Sequence, residues 1–332
     1  MMKHKIVCMG ELLIDFVPET NGLPLSSVAQ FQRAAGGAPG NVAAAIARLG
    51  GGARMIGKVG QDAFGDFLIH TLKKAGVDVA DSILQTTEAK TGLAFVSLRA
   101  DGERDFMFYR APGADMLIRA EEIQDAWLQD AAIFHFGSLS LVDAPCRAAT
   151  DTAIAKAKPF GAVISFDPNV RLPLWPSATE VRSAIMSRMH VADLVKVSAE
   201  EVEFLTGESD VAEGVGQLLK LGPHAIVVTL GADGCTFYTK QTSIHVPGFS
   251  VNAVDTTGAG DGFVGGFLYQ LVKSRTYSSN TFQQQLQDIE AIKPMLHFAN
   301  GVGAVVTTKR GAIPAMPTLH EIEQFLSSRR QP

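Results

Sequence analysis

The sequence predicts an α/β fold: a three-layer arrangement of a mostly parallel central sheet between helices, with a small β-sheet lid. Three observations predict it. Six short apolar runs, "KIVCMG", "ARMIGKVG", "AIFHFGS", "AVISFDPN", "DLVKVSAEE" and "AIVVTLG", read as buried strands. Longer amphipathic segments such as "GNVAAAIARLG" and "AFGDFLIHTLKKAG" lie between them, and strands alternating with helices build a parallel sheet covered on both faces. Two stretches break that rhythm. Glu11 to Arg33 looks extended, and Thr91 to Arg110, "TGLAFVSLRADGERDFMFYR", reads as a β-hairpin turning at Asp101-Gly102. On its second strand Phe106, Phe108 and Arg110 share one face and Asp105, Met107 and Tyr109 the other. With aromatics on both faces, the hairpin is expected to cover something. The expected division is a core of residues 1–11, 35–85 and 113–332 and a lid of 12–34 and 86–112.

The 332 residues are 46% hydrophobic and 19% charged, an ordinary globular composition with room for one large α/β domain and a smaller one. Thirty-four acids against twenty-nine bases give a net charge of −5, too mild to predict nucleic acid or a membrane as partner. Cys8, Cys146 and Cys235 are odd in number and widely spaced, which argues against a disulfide framework or a paired-cysteine metal site and for a reducing compartment. The apolar patch after Lys3 and Lys5 stops at Gly10 and Glu11, too short for a signal peptide. No apolar run reaches the roughly eighteen residues of a membrane span. A cytoplasmic location is expected.

In open α/β sheets ligands bind at the carboxyl ends of the strands, where Asp167, Asn169, Glu201 and Asp255 fall. One apparent motif fails there. Gly52-x4-Gly57-Lys58 mimics a phosphate loop, but Val59 stands where the motif needs Ser or Thr, and "ARMI" reads as strand. Gly10-Glu11-Leu12 lacks the glycine pattern of a dinucleotide-binding start, and the eight histidines show no ligand spacing.

The corner "AVDTTGAGDGF", Ala253 to Phe263, carries more chemistry. Apolar residues recur at helical spacing from Phe263 to Val272, so the corner is a helix mouth. Gly258, Ala259 and Gly260 leave their N–H groups unobstructed, and with the helix dipole they make an anion site. Asp261, in the first turn, is then placed to accept a hydroxyl proton beside a held phosphoryl group. A tight glycine turn with a capping acid is the equally simple reading of these residues alone. In "AAGGAPGNVAAAIARLG", Gly36 and Gly37 precede a helix with Asn41 near its start, a sugar-hydroxyl ligand or a cap. In "SFDPNVRLPLW", Asp167, Asn169 and Arg171 alternate to one side, with Arg171 suited to phosphate or carboxylate or to a salt bridge with Asp167. "VKVSAEE" brings Lys196, Ser198 and Glu201 to another strand end, with Glu201 as an organiser of water around Mg2+ or a plain helix start. "VVTLGADG" and "HFANGVGAVVTTKRGA" supply small residues suited to walling a flat ring or to close packing.

Taken in order along one chain, "GGAPGNVA" and "DTTGAGDGF" resemble the two signatures of the ribokinase-like (PfkB) carbohydrate kinases. "GELLIDFVP", "GKVGQDAFG", "DGERDFMFYR", "FDPNVRLPLWPSA" and "KRGAIPAMPT" look like bacterial and plant-type fructokinases, so the resemblance covers nearly the whole chain. It implies a ribokinase-like fold and ATP-dependent phosphorylation of D-fructose to fructose 6-phosphate, with Asp261 as general base and Gly258, Ala259 and Gly260 as anion hole. By the same resemblance Asp15, Gly36, Gly37, Asn41, Phe108, Arg110 and Arg171 are sugar-side positions, and Lys196, Thr229, Gly231, Gly234 and Asn300 nucleotide-side positions. Glu201 matches an acid that influences Mg2+, although Ser198 stands where that motif has Asn. Asp255 and Thr257 match a region where K+ often activates.

A helix-start aspartate is expected to have a low pKa and to be a weak, ready acceptor. Two other functions compete. One is a 2-dehydro-3-deoxygluconate kinase, in which Arg110 and Arg171 receive a sugar carboxylate. The other is a non-catalytic sugar-binding regulator, against which the intact base and glycines stand. Exposed lid strands pair readily, so a homodimer through the lid is expected.

Overall fold

Runs rich in Val, Ile and Phe with no polar face form the interior strands in the computed structural model of the protein, which describes residues 5–20, 22–98, 104–274 and 279–329. In chain order the strands are β1 (Lys5–Met9), β2 (Leu13–Pro18), β3 (Phe31–Gly36), β4 (Gly52–Gly60), β5 (Ile83–Thr86), β6 (Gly92–Leu98), β7 (Arg104–Tyr109), β8 (Ala131–Gly137), β9 (Val163–Asp167), β10 (Leu194–Ser198), β11 (Ala225–Thr229), β12 (Cys235–Thr239) and β13 (Ser243–Val246). The helices are α1 (Ala38–Arg48), α2 (Ala63–Lys74), α3 (Cys146–Ala157), α4 (Ala178–Met186), α5 (Ala199–Thr206), α6 (Val211–Lys220), α7 (Ala259–Lys273), α8 (Ser279–Gln287), α9 (Ile289–Thr307) and α10 (Leu319–Ser327).

Among the described residues, nine strands make the central sheet in the order β13-β12-β11-β10-β9-β8-β1-β4-β5. From β11 to β5 every pairing is parallel, and only the β11–β12 and β12–β13 pairings are antiparallel. The predicted α/β class is therefore the observed one. Alternation along each strand divides the core. Ile6, Cys8, Ile133 and Val227 pack with α1, α2, α7 and α9 on one face, while Val7, Met9, Phe134, Phe166 and Val195 pack with α3 to α6 on the other. The false phosphate loop is strand β4, and Lys58 is buried in it, held by Glu122 at 2.6 Å and the Leu117 carbonyl at 3.0 Å.

The second sheet, ordered β3-β2-β6-β7, is the small β-sheet. Its strands depart slightly from the expected lid limits, since β3 continues to Gly36 and Thr86 ends β5 in the central sheet. The proposed turn at Asp101-Gly102 lies outside the described residues. Register sets the two faces. Asp15 pairs with Ala94, and Ala94 with Phe108, so Asp15 and Phe108 share one face. The other face carries Phe16 stacked on Phe95 at 4.7 Å, with Tyr109 edge-on to Phe95 at 5.8 Å and Phe16 edge-on to Phe64 of α2 at 5.9 Å. Met107 and Tyr109, on the edge strand, remain 41% and 60% exposed. Where the hairpin joins the core, Asp62, the N-cap of α2, accepts from the Thr91 N–H at 2.9 Å and hydroxyl at 2.8 Å.

Helices α1 and α7 lie against each other across the middle of one face. A Cβ on Gly265 would sit 2.6 Å from the Ala45 Cβ, so only glycine permits this approach. Gly265→Val is expected to force the helices apart, costing about 1–3 kcal/mol of stability as overpacking does. A lower urea midpoint together with reduced turnover would register it.

Candidate active site

Four chain corners meet at the carboxyl ends of the parallel strands. The first is the start of α7. Gly258 is its N-cap, at φ 78°, and no side chain caps the helix. A Cβ at Gly258 would lie 2.8 Å from the Ala312 Cβ, so both conformation and crowding require glycine. The second is the start of α1. Gly37, at φ 106°, turns the chain out of β3, and Asn41 sits one turn in, 5% exposed. Gly36 abuts Asp15, since a Cβ there would meet the Asp15 Oδ2 at 2.2 Å.

The two corners are joined directly. Asn41 Nδ2 donates to Asp261 Oδ2 at 2.8 Å, a bond between residues 220 apart in sequence. The Asn41 Oδ1 is buried and has no hydrogen-bond partner among the described residues. Such an acceptor is costly unless a ligand or water donates to it.

The third and fourth corners follow β9 and β10. Asp167 pairs with Lys196, Nζ to Oδ2 3.2 Å, so the considered Asp167–Arg171 bridge gives way to an Asp167–Lys196 pair. The Asn169 N–H donates to Asp167 Oδ1 at 3.1 Å, closing a turn that leaves Asn169 at φ 44°. Arg171 is exposed, donates to its neighbour's Val170 carbonyl at 3.0 Å, and lies near enough to Asp15 and Asp261 to lower both their pKa values. Lys196 reaches over the glycine turn, because a Cβ on Gly260 would be 3.4 Å from its Nζ. Glu201 is the third residue of a capping box with Ser198. Its two oxygens accept from Val170 N at 2.7 Å and Ser198 N at 2.8 Å, tying the third corner to the fourth.

Burial dominates the electrostatics. Desolvation raises the Asp261 pKa to about 6, with Asp167 adding to the rise and the Asn41 bond, Lys196 and Arg171 opposing it. The low value expected of a helix-start aspartate is thus overturned, because loss of water in the cleft raises it. Desolvation likewise raises Asp15 to about 7, opposed by Arg171 and reinforced by Asp261 and Asp255. Burial alone would lower Lys196, yet the Asp167 and Glu201 carboxylates carry it upward and keep it charged.

A cavity of about 890 Å³ opens beside the glycine turn. Thr229, Gly231, Gly234 and Asn300, spread over the chain, all line it together with Ala259 and Gly260. Asn300 Nδ2 donates to the Val246 and Pro247 carbonyls at 3.0 and 3.1 Å, so the side chain builds the wall. Gly234, at φ 98°, lets β12 approach that wall, where a Cβ would stand 2.2 Å from the Val246 carbonyl. Phe249 and Ser250, outside the segments singled out in the sequence, also line it, as do Ala304 and Thr307 of the expected small-residue wall. Ala304 and Thr307 follow Asn300 at helical spacing, the signal that points to them.

Two expected residues are committed to partners within the chain. Arg110 is 5% exposed and committed to Asp115, Nη2 to Oδ2 2.6 Å, and to the Leu139 carbonyl at 3.2 Å. Asp255 accepts from Thr257 N and Gly311 N, each at 2.9 Å.

A glycine-turn helix start, a buried carboxylate and an adjoining ring-sized cavity define a phosphoryl-transfer fold, and residues 3–319 match the model of the pfkB family carbohydrate kinases. The chain belongs to that family. Fructokinase-1 of Zea mays is 48% identical over 325 residues, 98% of each chain. The fructokinase of Xylella fastidiosa crystallised with bound ATP superposes with a TM-score of 0.89 at 40% identity, over 99% of this chain and 100% of that one. A double-mutant fructokinase of Vibrio cholerae O395 in fructose-, ADP- and potassium-bound form gives a TM-score of 0.86 at 34% identity, over 98% and 99%.

If Asp261 takes a proton, only its ionised form works. Phosphoryl transfer is expected to fall about tenfold per pH unit below about pH 6. Lys196→Met removes a charge that lowers that pKa, so its kcat/KM profile should turn down at higher pH than the wild type.

Proposed function

We propose that this protein is an ATP-dependent fructokinase, transferring the γ-phosphoryl group to the 6-hydroxyl of D-fructose. The observation that carries the reading is the Asn41-held Asp261 at the open start of α7, beside the 890 Å³ cavity. The nucleotide occupies that cavity, with its phosphates directed at Gly258, Ala259 and Gly260. Fructose lies under the small sheet against Asp15, Gly36, Gly37, Asn41 and Phe108. Asp261 accepts the hydroxyl proton, while the glycine-turn N–H groups and Lys196 stabilise charge on the transferred group. Cover by the sheet excludes water as a competing acceptor.

Mg2+ would be carried on the nucleotide phosphates, with Glu201, whose carboxylate acts on the neighbouring Lys196, influencing it indirectly. When bound, it neutralises phosphate charge. K+ would be held at the Asp255–Thr257 loop, where Asp255 accepts the Thr257 and Gly311 N–H groups, and would supply activation. Free, buried cysteines suit the cytoplasm. Among the described residues no helix is long and apolar enough to cross a membrane. The exposed Met107 and Tyr109 on edge strand β7 suit a homodimer through the small sheet.

A sugar acid is the second reading, favoured by the exposed Arg171. Two carboxylates, Asp15 and Asp261, already share that charge, so an acidic substrate enters against them and a neutral ketose does not. Coupled ATP consumption with Mg2+ and K+ on fructose, 2-dehydro-3-deoxygluconate, ribose and glucose separates the readings. A large preference for fructose is expected, and preference for the acid overturns it. Asp261→Asn is expected to bind sugar and ATP normally yet lose at least about 10²-fold in kcat. Near-normal turnover would remove Asp261 as the base.

A further inference from the structure

Helix α1 starts without a cap of its own, because its N-cap residue is Gly37. The missing acceptor arrives from another part of the chain. Glu11, just past β1, takes the Ala38 N–H on Oε1 at 2.9 Å. The approach is close: a Cβ on Gly37 would lie 2.2 Å from the Glu11 carbonyl oxygen. A carboxylate at this end of a helix also complements its dipole. One turn on, the Asn41 N–H donates to the Gly37 carbonyl at 3.0 Å, and its side chain holds Asp261.

Glu11 is 4% exposed, and its second oxygen is buried without a hydrogen-bond partner among the described residues. The charged groups facing it are Arg110, where β7 returns to the core, and Asp115, which binds that guanidinium. Cys146 of α3 lies in the same surroundings. Burial raises Glu11 to about 7, against the Arg110 charge and the N–H groups of Glu11 and Ala38, with Asp115 adding to the rise. A buried acid with one bond to a helix start and an arginine from the lid root is a costly way merely to fill space.

We infer that Glu11 is a positioning residue for proton transfer: it fixes the first turn of α1, and through it holds Asn41 against Asp261. The inference rests on Asp261 being the base. It also gives Arg110 a part, since the residue expected to touch sugar instead balances the charge of the acid that sets α1.

The test is steady-state kinetics over pH on Glu11→Ala, Glu11→Gln, Asn41→Ala and Asp261→Asn, with ATP affinity and melting temperature for each. A misplaced reacting group costs up to about 10²-fold, so Glu11→Ala should lose about 10- to 100-fold in kcat. The Asn41 bond lowers the Asp261 pKa. The acid limb of Glu11→Ala should therefore move to higher pH, as in Asn41→Ala, with ATP affinity unaltered. Glu11→Gln keeps an oxygen for the Ala38 N–H and should recover most of the turnover. Should Glu11→Ala fail to fold, Glu11→Asp, one methylene shorter, takes its place with the same expectations. Wild-type kcat with an unmoved acid limb overturns the inference. So does a loss that Glu11→Gln shares in full while the limb stays in place, since that is a stability effect alone. Turnover in Asp261→Asn would instead defeat the functional reading on which it rests.

Discussion

The hydrogen bond from Asn41 to Asp261 is the contact around which the rest is arranged. It ties the starts of two helices that pack side by side, and it can form only because each helix opens with glycine. Gly37 and Gly258 both sit in left-handed backbone, a region closed to most side chains. Gly265 then brings α7 against Ala45, so the two helices pack closely side by side. An orienting bond on a carboxylate is useful in phosphoryl transfer because there is little covalent chemistry for the protein to perform and position accounts for most of the rate.

The ionic groups around that bond balance one another. Asp15, Asp167, Asp261 and Asp255 converge on a cleft with Lys196 and Arg171 among them. The cleft takes two acids above their ordinary range and holds one lysine charged. Four carboxylates against two cations leave the cleft acidic before substrate arrives, which disfavours an anionic acceptor and suits a polyhydroxylated, uncharged sugar.

Much of this was legible in the sequence, and the reasons for the remainder are physical. Strand runs such as "AVISFDPN" and "AIVVTLG" have no polar face, so burial on both sides was readable. β12, "CTFYT", and β13, "SIHV", mix exposed and buried residues over four or five positions, too short for periodicity to declare them. The corners at Gly36–Asn41 and Gly258–Asp261 announced themselves through small residues next to one polar group. Their direct contact did not, because nothing local relates positions 220 apart. Nor did the raised pKa of Asp261, since desolvation belongs to the assembled cleft and not to a helix start. Arg110 misled for a similar reason: its partner Asp115 lies five residues on, beyond the motif that drew attention to it.

The order of strands carries one more consequence. From β1 the sheet is extended on one side by β8, β9, β10, β11, β12 and β13, the order in which a ribosome delivers them. The corner at the start of α1 is therefore made early and stays incomplete, with Asn41 lacking its aspartate, until α7 emerges some two hundred residues later and docks on α1. A prematurely terminated chain carries the Gly36–Asn41 corner without Asp261. The two halves of the Asn41–Asp261 contact thus meet in a single helix-docking event.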